Sequence, residues 1–318
     1  MRYPPFTELP APQIGQSSWP WFGDKIEIPR HMSDGHPWPR ICVIMPSYNQ
    51  AQYLEAAICS VLFQGYPNLE YIIMDGGSTD GSVEIIKKYE PWLSHWQCAP
   101  DNGQYRAIQD GFERSNSEVM TWLNSDDLFF PWTLRTVGEI FANLPDVQWL
   151  SSSVVANTND SNNNIGFWYR HGLNRRWFFE DRPLSEKGCI QQEGTFWSRK
   201  LWEQTGAQFD PTLRNAGDLE LWARFWQYAD LATVSKPLGI FRRHDGQKSS
   251  QEQIYIEEAE SALARYPSYR RIPARLLIRL VNFLQRFNPD KNWFQLQCPH
   301  LVYDLQKKKW QLEKPYEI

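Results

Sequence analysis

Between residues 40 and 150, short unbroken apolar runs alternate with longer stretches whose apolar positions recur every three or four residues. The run ICVIMP, from Ile41, has the length and continuity of a strand buried on both faces, and Pro46 ends it. In AQYLEAAICSVLFQ, Leu54, Ala57, Ile58, Val61 and Leu62 fall at helical spacing, with Gly65 and Pro67 as stop signals. LEYIIMD predicts a second strand, and GSVEIIKKYEPW a second helix closed by Pro91. QYRAIQDGFERS predicts a third helix, EVMTWLN a third strand, and PWTLRTVGEIFANL a fourth helix opened by Pro131. Alternation of this kind predicts an α/β fold with a mostly parallel central sheet and helices on both faces. Ligands in such sheets bind beyond the carboxyl ends of the strands. Three polar loops leave those ends: PSYNQ, DGGSTDGS and NSDD.

The flanks follow other rules. Residues 1–39 are rich in proline and aromatics, which cannot propagate a helix and predict an extended arm lying against the domain. The main domain is expected over 40–250, divided into a regular, loop-bearing half at 40–150 and a less regular half at 151–250. In the second half, Asn157–Asn164 (NTNDSNNN) predicts a loop tip or hairpin turn. EGTFWSRKLWEQTG reads as strand, helix and glycine stop, GDLELWARFWQYA as an amphipathic helix, and ATVSKPLGIFRRHDGQKSS as a strand entering a basic loop. After Glu252 the chain is expected to be a helical extension, 251–318.

Composition narrows the function. A net charge of −4 argues against nucleic-acid binding driven by bulk charge. Sixteen tryptophans suit a sugar or nucleotide ligand, although such residues are more often core. Cys42, Cys59, Cys98, Cys189 and Cys298 form neither a disulfide framework nor a zinc pattern, so a cytoplasmic setting is expected. The N-terminus has no apolar signal segment, and no apolar run is long enough to span a membrane.

The loops carry the chemistry. Gly76 and Gly77 permit close backbone approach, and Asp75 at a strand end can accept from a nucleobase N–H. Asp80 reads as the cap of the following helix. Asp126 and Asp127 either hold a hard divalent cation or cap the helix near Pro131.

VIMPSYNQAQYLEAAICSVLFQGYPNLEYIIMDGGSTDGSVEIIKKY, then DNGQYRAIQDGF, then WLNSDDLFFPWTL resembles glycosyltransferase family 2. The similarity is dense over about 41–134 and thinner through EGTFWSRKLWEQTG, GDLELWAR and FRRHDGQKS. It implies the GT-A fold, with 40–150 as the nucleotide-sugar-binding half and 151–250 as the acceptor half, a nucleotide-sugar donor (UDP-, GDP- or dTDP-linked) and a divalent cofactor, Mn²⁺ or Mg²⁺. It further implies that Pro46, Tyr48 and Asn49 line the nucleobase pocket, with Asp75 and Gly76 at the base edge. Asp101, Gln104, Ser125, Asp127 and Arg243 would lie along the donor, and Asp126 and His244 at the metal. Asn124 stands where the family carries its first acidic residue, and Gly217 where an acidic residue usually precedes the general base, here Asp218. Arg106 either faces the diphosphate or pairs with Asp101 or Asp110 on its helix.

The implied activity is inverting transfer to a saccharide or lipid-linked acceptor in bacterial cell-surface polysaccharide synthesis. It is non-processive, because Q-x-x-R-W and spanning helices are missing from the chain. Asn124, Gly217 and Arg106 instead suit a non-catalytic nucleotide-sugar-binding protein with a degenerate site. A nucleotidyltransferase fits less well, since PSYNQ is neither glycine- nor arginine-rich. Asp218 also suits the cap of the helix that follows it. ARLLIRLVNFLQRF (Ala274–Phe287) has an apolar stripe and a basic face, which predicts a docked helix or one in peripheral contact with an anionic membrane.

Overall fold

The computed structural model describes Pro20 and Phe283 together with residues 27–159, 165–169, 175–180, 190–247, 252–266 and 299–313. The first half alternates strand and helix: β1 (Ile41–Ser47), α1 (Ala51–Leu62), β2 (Leu69–Asp75), α2 (Ser82–Tyr89), β3 (His95–Cys98), α3 (Gln104–Glu113), β4 (Val119–Trp122), β5 (Leu128–Phe129) and α4 (Thr133–Asn143), with β3 and β5 beyond those its pattern predicts. There follow β6 (Trp149–Ser152), β7 (Val154–Asn159), β8 (Ile165–Tyr169), α5 (Arg175–Glu180), β9 (Phe196–Ser198), α6 (Arg199–Gln204), α7 (Gly217–Phe225), β10 (Ala232–Val234), β11 (Gly239–Arg243), α8 (Glu252–Leu263), β12 (His300–Asp304) and β13 (Lys309–Glu313).

Nine strands form one sheet in the order β13-β12-β10-β6-β9-β4-β1-β2-β3. β1 lies parallel to both β2 and β4, while β9 runs antiparallel to β4 and β6. The sheet is therefore mostly parallel with an antiparallel insertion. All seven residues of β1 are buried, because helices cover both faces. Ile41, Val43 and Met45 pack with Leu54 and Ile58 of α1, Ile86 of α2 and Val137 of α4. Cys42 and Ile44 face the other way, towards Ile108 of α3, Leu201 of α6 and Trp222 of α7.

Strands β5, β11, β7 and β8 form a second, four-stranded sheet. β11 pairs parallel with β7 and antiparallel with β5, so it enters beside the turn that follows β4. β7 and β8 pair antiparallel across the polar stretch expected to be a loop tip or turn.

The structure adds strands the pattern did not predict and changes the C-terminal expectation. β3 is a short, half-exposed edge strand whose pattern HWQC carries little signal. The basic loop after β10 begins with a further strand, β11. The expected helical extension begins as α8, but residues 300–313 are a hairpin in which β12 pairs parallel with β10 at the sheet edge. The stripe at 274–287 lies outside the described residues, Phe283 apart. Of the arm, residues 27–39 are described: Met32 and Trp38 join the core, and Trp38 meets Tyr66 edge-on at 5.6 Å. Among the described residues, no helix is long and apolar enough to cross a membrane.

Among the described residues, seven tryptophans are buried in the core. Trp122, Trp222 and Trp149 stack in a row at 5.9 and 5.8 Å, and Trp197 meets Trp122 edge-on at 5.6 Å. This aromatic layer lies under the cavity described next.

Candidate active site

A cavity of about 900 Å³ opens beyond the carboxyl ends of β1, β2 and β4, where an α/β sheet of this order places its ligands. Pro46, Ser47 and Tyr48 from the end of β1 line it, with Gly76, Asp101 and Gln104. Asn124, Ser125, Asp126 and Asp127 follow from the turn after β4. Arg243 enters from β11 and Asp218 from α7, and Trp122, Trp168, Phe178 and Trp222 supply an aromatic wall.

The β2 loop is held by its own donors. Asp75 is buried; its Oδ1 accepts from the Gly77 and Ser78 amides at 3.1 and 2.8 Å, and its Oδ2 from the Ser78 hydroxyl at 2.7 Å. It does not line the cavity, so the base-edge expectation for Asp75 does not fit its position. Asn49 does not line the cavity either. It sits at φ 52° and ties the loops together, donating its amide to Ser78 Oγ at 2.8 Å and accepting from the Thr79 amide at 2.9 Å. Asp80 accepts from Ala51 N at 2.9 Å and Ser82 N at 3.0 Å, and so holds the first residues of α1 and α2. Burial pushes the Asp80 pKa up, but these hydrogen bonds outweigh it and the group is lowered.

Gly76 matters for the room it leaves. A Cβ there would lie 3.1 Å from Asp101 Oδ2 and 3.3 Å from the Tyr48 ring. Asp101 is fixed through Oδ1, which accepts from Gly103 N at 2.7 Å. A carboxylate oxygen and an exposed aromatic face therefore meet over a glycine. Arg106 is turned away from the cavity, paired with Asp110 at 2.6 Å, as one of its two sequence readings expects.

The turn after β4 separates its two carboxylates. Asp127 is buried and accepts from Arg242 N at 3.0 Å and Asn124 Nδ2 at 3.2 Å. Burial first, then Asp126 and Glu193, raises its pKa well above the usual carboxylate range. Asp126 instead reaches His244, Oδ2 to Nε2 at 3.1 Å. His244 Nδ1 donates to the Asp245 carbonyl at 2.8 Å, and the ring packs tilted against Tyr53 of α1 with centroids 4.2 Å apart. With Nδ1 committed to that carbonyl, Nε2 and Asp126 Oδ2 face one another, an imidazole nitrogen and a carboxylate oxygen that would suit a divalent cation whose shell phosphate oxygens complete. Asn124 fits no such role: its Oδ1 accepts from Gln104 Nε2 at 2.6 Å, and its Nδ2 also donates to Gln192 Oε1 at 3.3 Å. Neither aspartate caps α4, whose N-cap position is Trp132, with no side-chain cap bond.

Asp218 is the second residue of α7, and Ala216 holds the N-cap position without a side-chain bond, so the capping reading fails. Its half-buried carboxylate sits in the first turn, where the helix dipole favours negative charge. Burial nevertheless pushes its pKa up to about 6. Sequence reasoning passed over Tyr53, Tyr105, Gln191, Gln192 and Glu193. The aromatics read as core on amphipathic helices, and QQE carries no motif of its own.

The family model for glycosyl transferase family 2 matches residues 42–200. The chain belongs to that family. It is 36% identical over 111 residues to an uncharacterised glycosyltransferase of Nostoc sp., covering 32% of this chain and 33% of that one. It is 36% identical over 92 residues to a Bacillus subtilis glycosyltransferase whose name assigns it to teichuronic acid biosynthesis, covering 28% and 36%. The matched stretch thus spans about a third of either relative. Residues 1–349 of Staphylococcus aureus TarS, solved in complex with UDP-GlcNAc, superpose with a TM-score of 0.57 at 17% identity, over 84% of this chain and 77% of that one. The fold is the GT-A fold of these transferases.

Proposed function

We propose that this family 2 protein is an inverting, non-processive glycosyltransferase. It moves a sugar from a nucleoside-diphosphate donor to a saccharide or lipid-linked hydroxyl, in the cytoplasm, during synthesis of a cell-surface polysaccharide. The observation that carries the reading is a single cavity lined both by Asp126, paired with His244, and by Asp218, whose pKa is pushed up to about 6. UDP-GlcNAc in the TarS complex and the teichuronic acid name of the Bacillus relative support donor type and polymer class.

In this reading the base stacks on Tyr48, and Asp101 accepts from its edge. Asp126 and His244 would hold Mn²⁺ or Mg²⁺, which when bound stabilises negative charge on the diphosphate. Arg243 adds a fixed positive charge on the same wall. The acceptor hydroxyl cannot ionise freely at neutral pH, so Asp218 takes its proton as the new bond forms, worth roughly 10²–10⁴ in rate. A carboxylate with a pKa near 6 is ionised at neutral pH yet basic enough for that task. No covalent sugar–enzyme intermediate is needed.

The test is a nucleotide-sugar panel screened by thermal shift with Mn²⁺, followed by transfer and donor-hydrolysis assays on the best ligand. Asp218→Asn is expected to bind the donor and transfer nothing. Wild-type turnover in that variant would remove Asp218 as the base. Metal-independent binding with neither transfer nor hydrolysis would favour a non-catalytic binding protein.

A further inference from the structure

The general base needs something to aim it, and among the described residues no charged side chain is bonded to Asp218. Among the described residues, the one side chain hydrogen-bonded to it belongs to Tyr105 of α3. The Tyr105 hydroxyl accepts from Asp218 N at 3.2 Å, lies 3.0 Å from the Asn215 carbonyl, and is 3.4 Å from Asp218 Oδ1. Its ring is stacked on Phe209 at 5.2 Å. The Asn215 carbonyl is itself fixed: Glu258 of α8 accepts from the amides of Arg214, Asn215 and Ala216 at 3.0, 2.7 and 2.9 Å. A Cβ on Gly217 would sit 2.7 Å from the Tyr105 ring.

We propose that Tyr105 is the positioning residue of Asp218, and that position 217 is glycine because the Tyr105 ring fills the space a side chain would need. The proposal rests on Asp218 being the base. The hydroxyl has one proton and two acceptors. With Asp218 protonated, the hydroxyl donates to the Asn215 carbonyl; with Asp218 ionised, the charged oxygen competes for that hydrogen bond. The hydroxyl thus stabilises the carboxylate in the form that accepts a proton, while the amide contact fixes the helix turn that carries it. At 3.4 Å the contact is long, and it has room to tighten when an acceptor closes the site. An acidic residue at 217 would displace the ring, so in this chain the aiming group comes from α3.

The test follows the Asp218 carboxyl directly by ¹³C NMR titration, its signal assigned by its loss in Asp218→Asn. This readout needs neither donor nor acceptor. Tyr105→Phe keeps the ring and removes the hydroxyl. The midpoint is expected to move up from about 6. In turnover assays, kcat falls roughly tenfold, as for loss of a hydrogen bond to a charged group. The acid limb of its pH profile shifts up in step, and donor KM is unchanged. Should Tyr105→Phe not fold, 3-fluorotyrosine at 105 keeps the shape and donates more strongly, which moves the midpoint down. A midpoint unmoved in a folded variant of either kind overturns the proposal. Asp218→Asn run in parallel separates the failures: its retained turnover would sink the base assignment, whatever Tyr105 does.

Discussion

His244 Nε2 lies 3.1 Å from Asp126 Oδ2, although 118 positions separate the two residues in the chain. Nδ1 donates to the Asp245 carbonyl and Tyr53 packs against the ring, so Nε2 is aimed at Asp126 before any ligand arrives. Asp126→Ala and His244→Ala are each expected to weaken Mn²⁺-dependent UDP binding by about 10- to 100-fold, the scale on which metal sites respond to loss of supporting groups. Isothermal titration of UDP with and without Mn²⁺ checks this. Metal enhancement that survives in both variants would place the cation elsewhere.

Asn124 has the look of a lost metal ligand and the contacts of a structural hub. It accepts from Gln104 and donates to both Asp127 and Gln192. Asn124→Asp would set a carboxylate against the Asp127 and Gln192 oxygens, leaving buried acceptors unpaired at a cost of about 1–3 kcal/mol each. The variant should melt lower than wild type without metal, and gain more from Mn²⁺ than wild type does. Differential scanning fluorimetry with and without Mn²⁺ reads both effects. Equal melting temperatures in the apo proteins would show that Asn124 is not needed for the turn.

What the sequence made legible divides by range. β1, α1, β2 and α2 follow from local pattern, since each buries a continuous run or a clear stripe. β3 and the β12–β13 hairpin did not, because short half-exposed edge strands alternate weakly and take their stability from the neighbour they join. The loops of the site were found because they leave strand ends. Their inner wiring was not. Nothing in DGGSTDG tells a carboxylate facing a ligand from one spent on its own turn, and Asp75 is the second kind. The link from Asp126 to His244 is carried by β11 pairing with β5 and β7, a tertiary event with no periodic signature. Tyr105 went unnoticed because an aromatic on an amphipathic helix looks like core, and half of it is.

Tyr48 is 63% exposed although it lines the cavity, so little besides a ligand covers its ring. A base stacked on an aromatic face contributes about 1–3 kcal/mol. Tyr48→Ala should therefore weaken UDP binding by roughly 5- to 150-fold and leave the melting temperature of the free protein nearly unchanged. If affinity stays constant, the base lies on another surface of the cavity.

Asp218 couples activity to stability in opposite senses. The folded chain holds its proton up to about pH 6, whereas an ordinary aspartate releases it near 3.8. Below 3.8 both folded and unfolded states are protonated, and the group contributes nothing to pH dependence. Between 3.8 and about 6 the folded state alone keeps the proton, so stability falls as pH rises. Above about 6 the full cost of a buried charge is present, about 2–3 kcal/mol from the size of the shift. Asp218→Asn, which imitates the protonated side chain, should raise the unfolding free energy in urea at pH 8 by about that amount, and by almost nothing at pH 3.5. Transfer should run the other way, rising with pH through about 6 in the wild type and absent at every pH in the variant. If Asn gained nothing at pH 8, the carboxylate would be better solvated than its place at the mouth of α7 implies, and its fitness as a base would need another source.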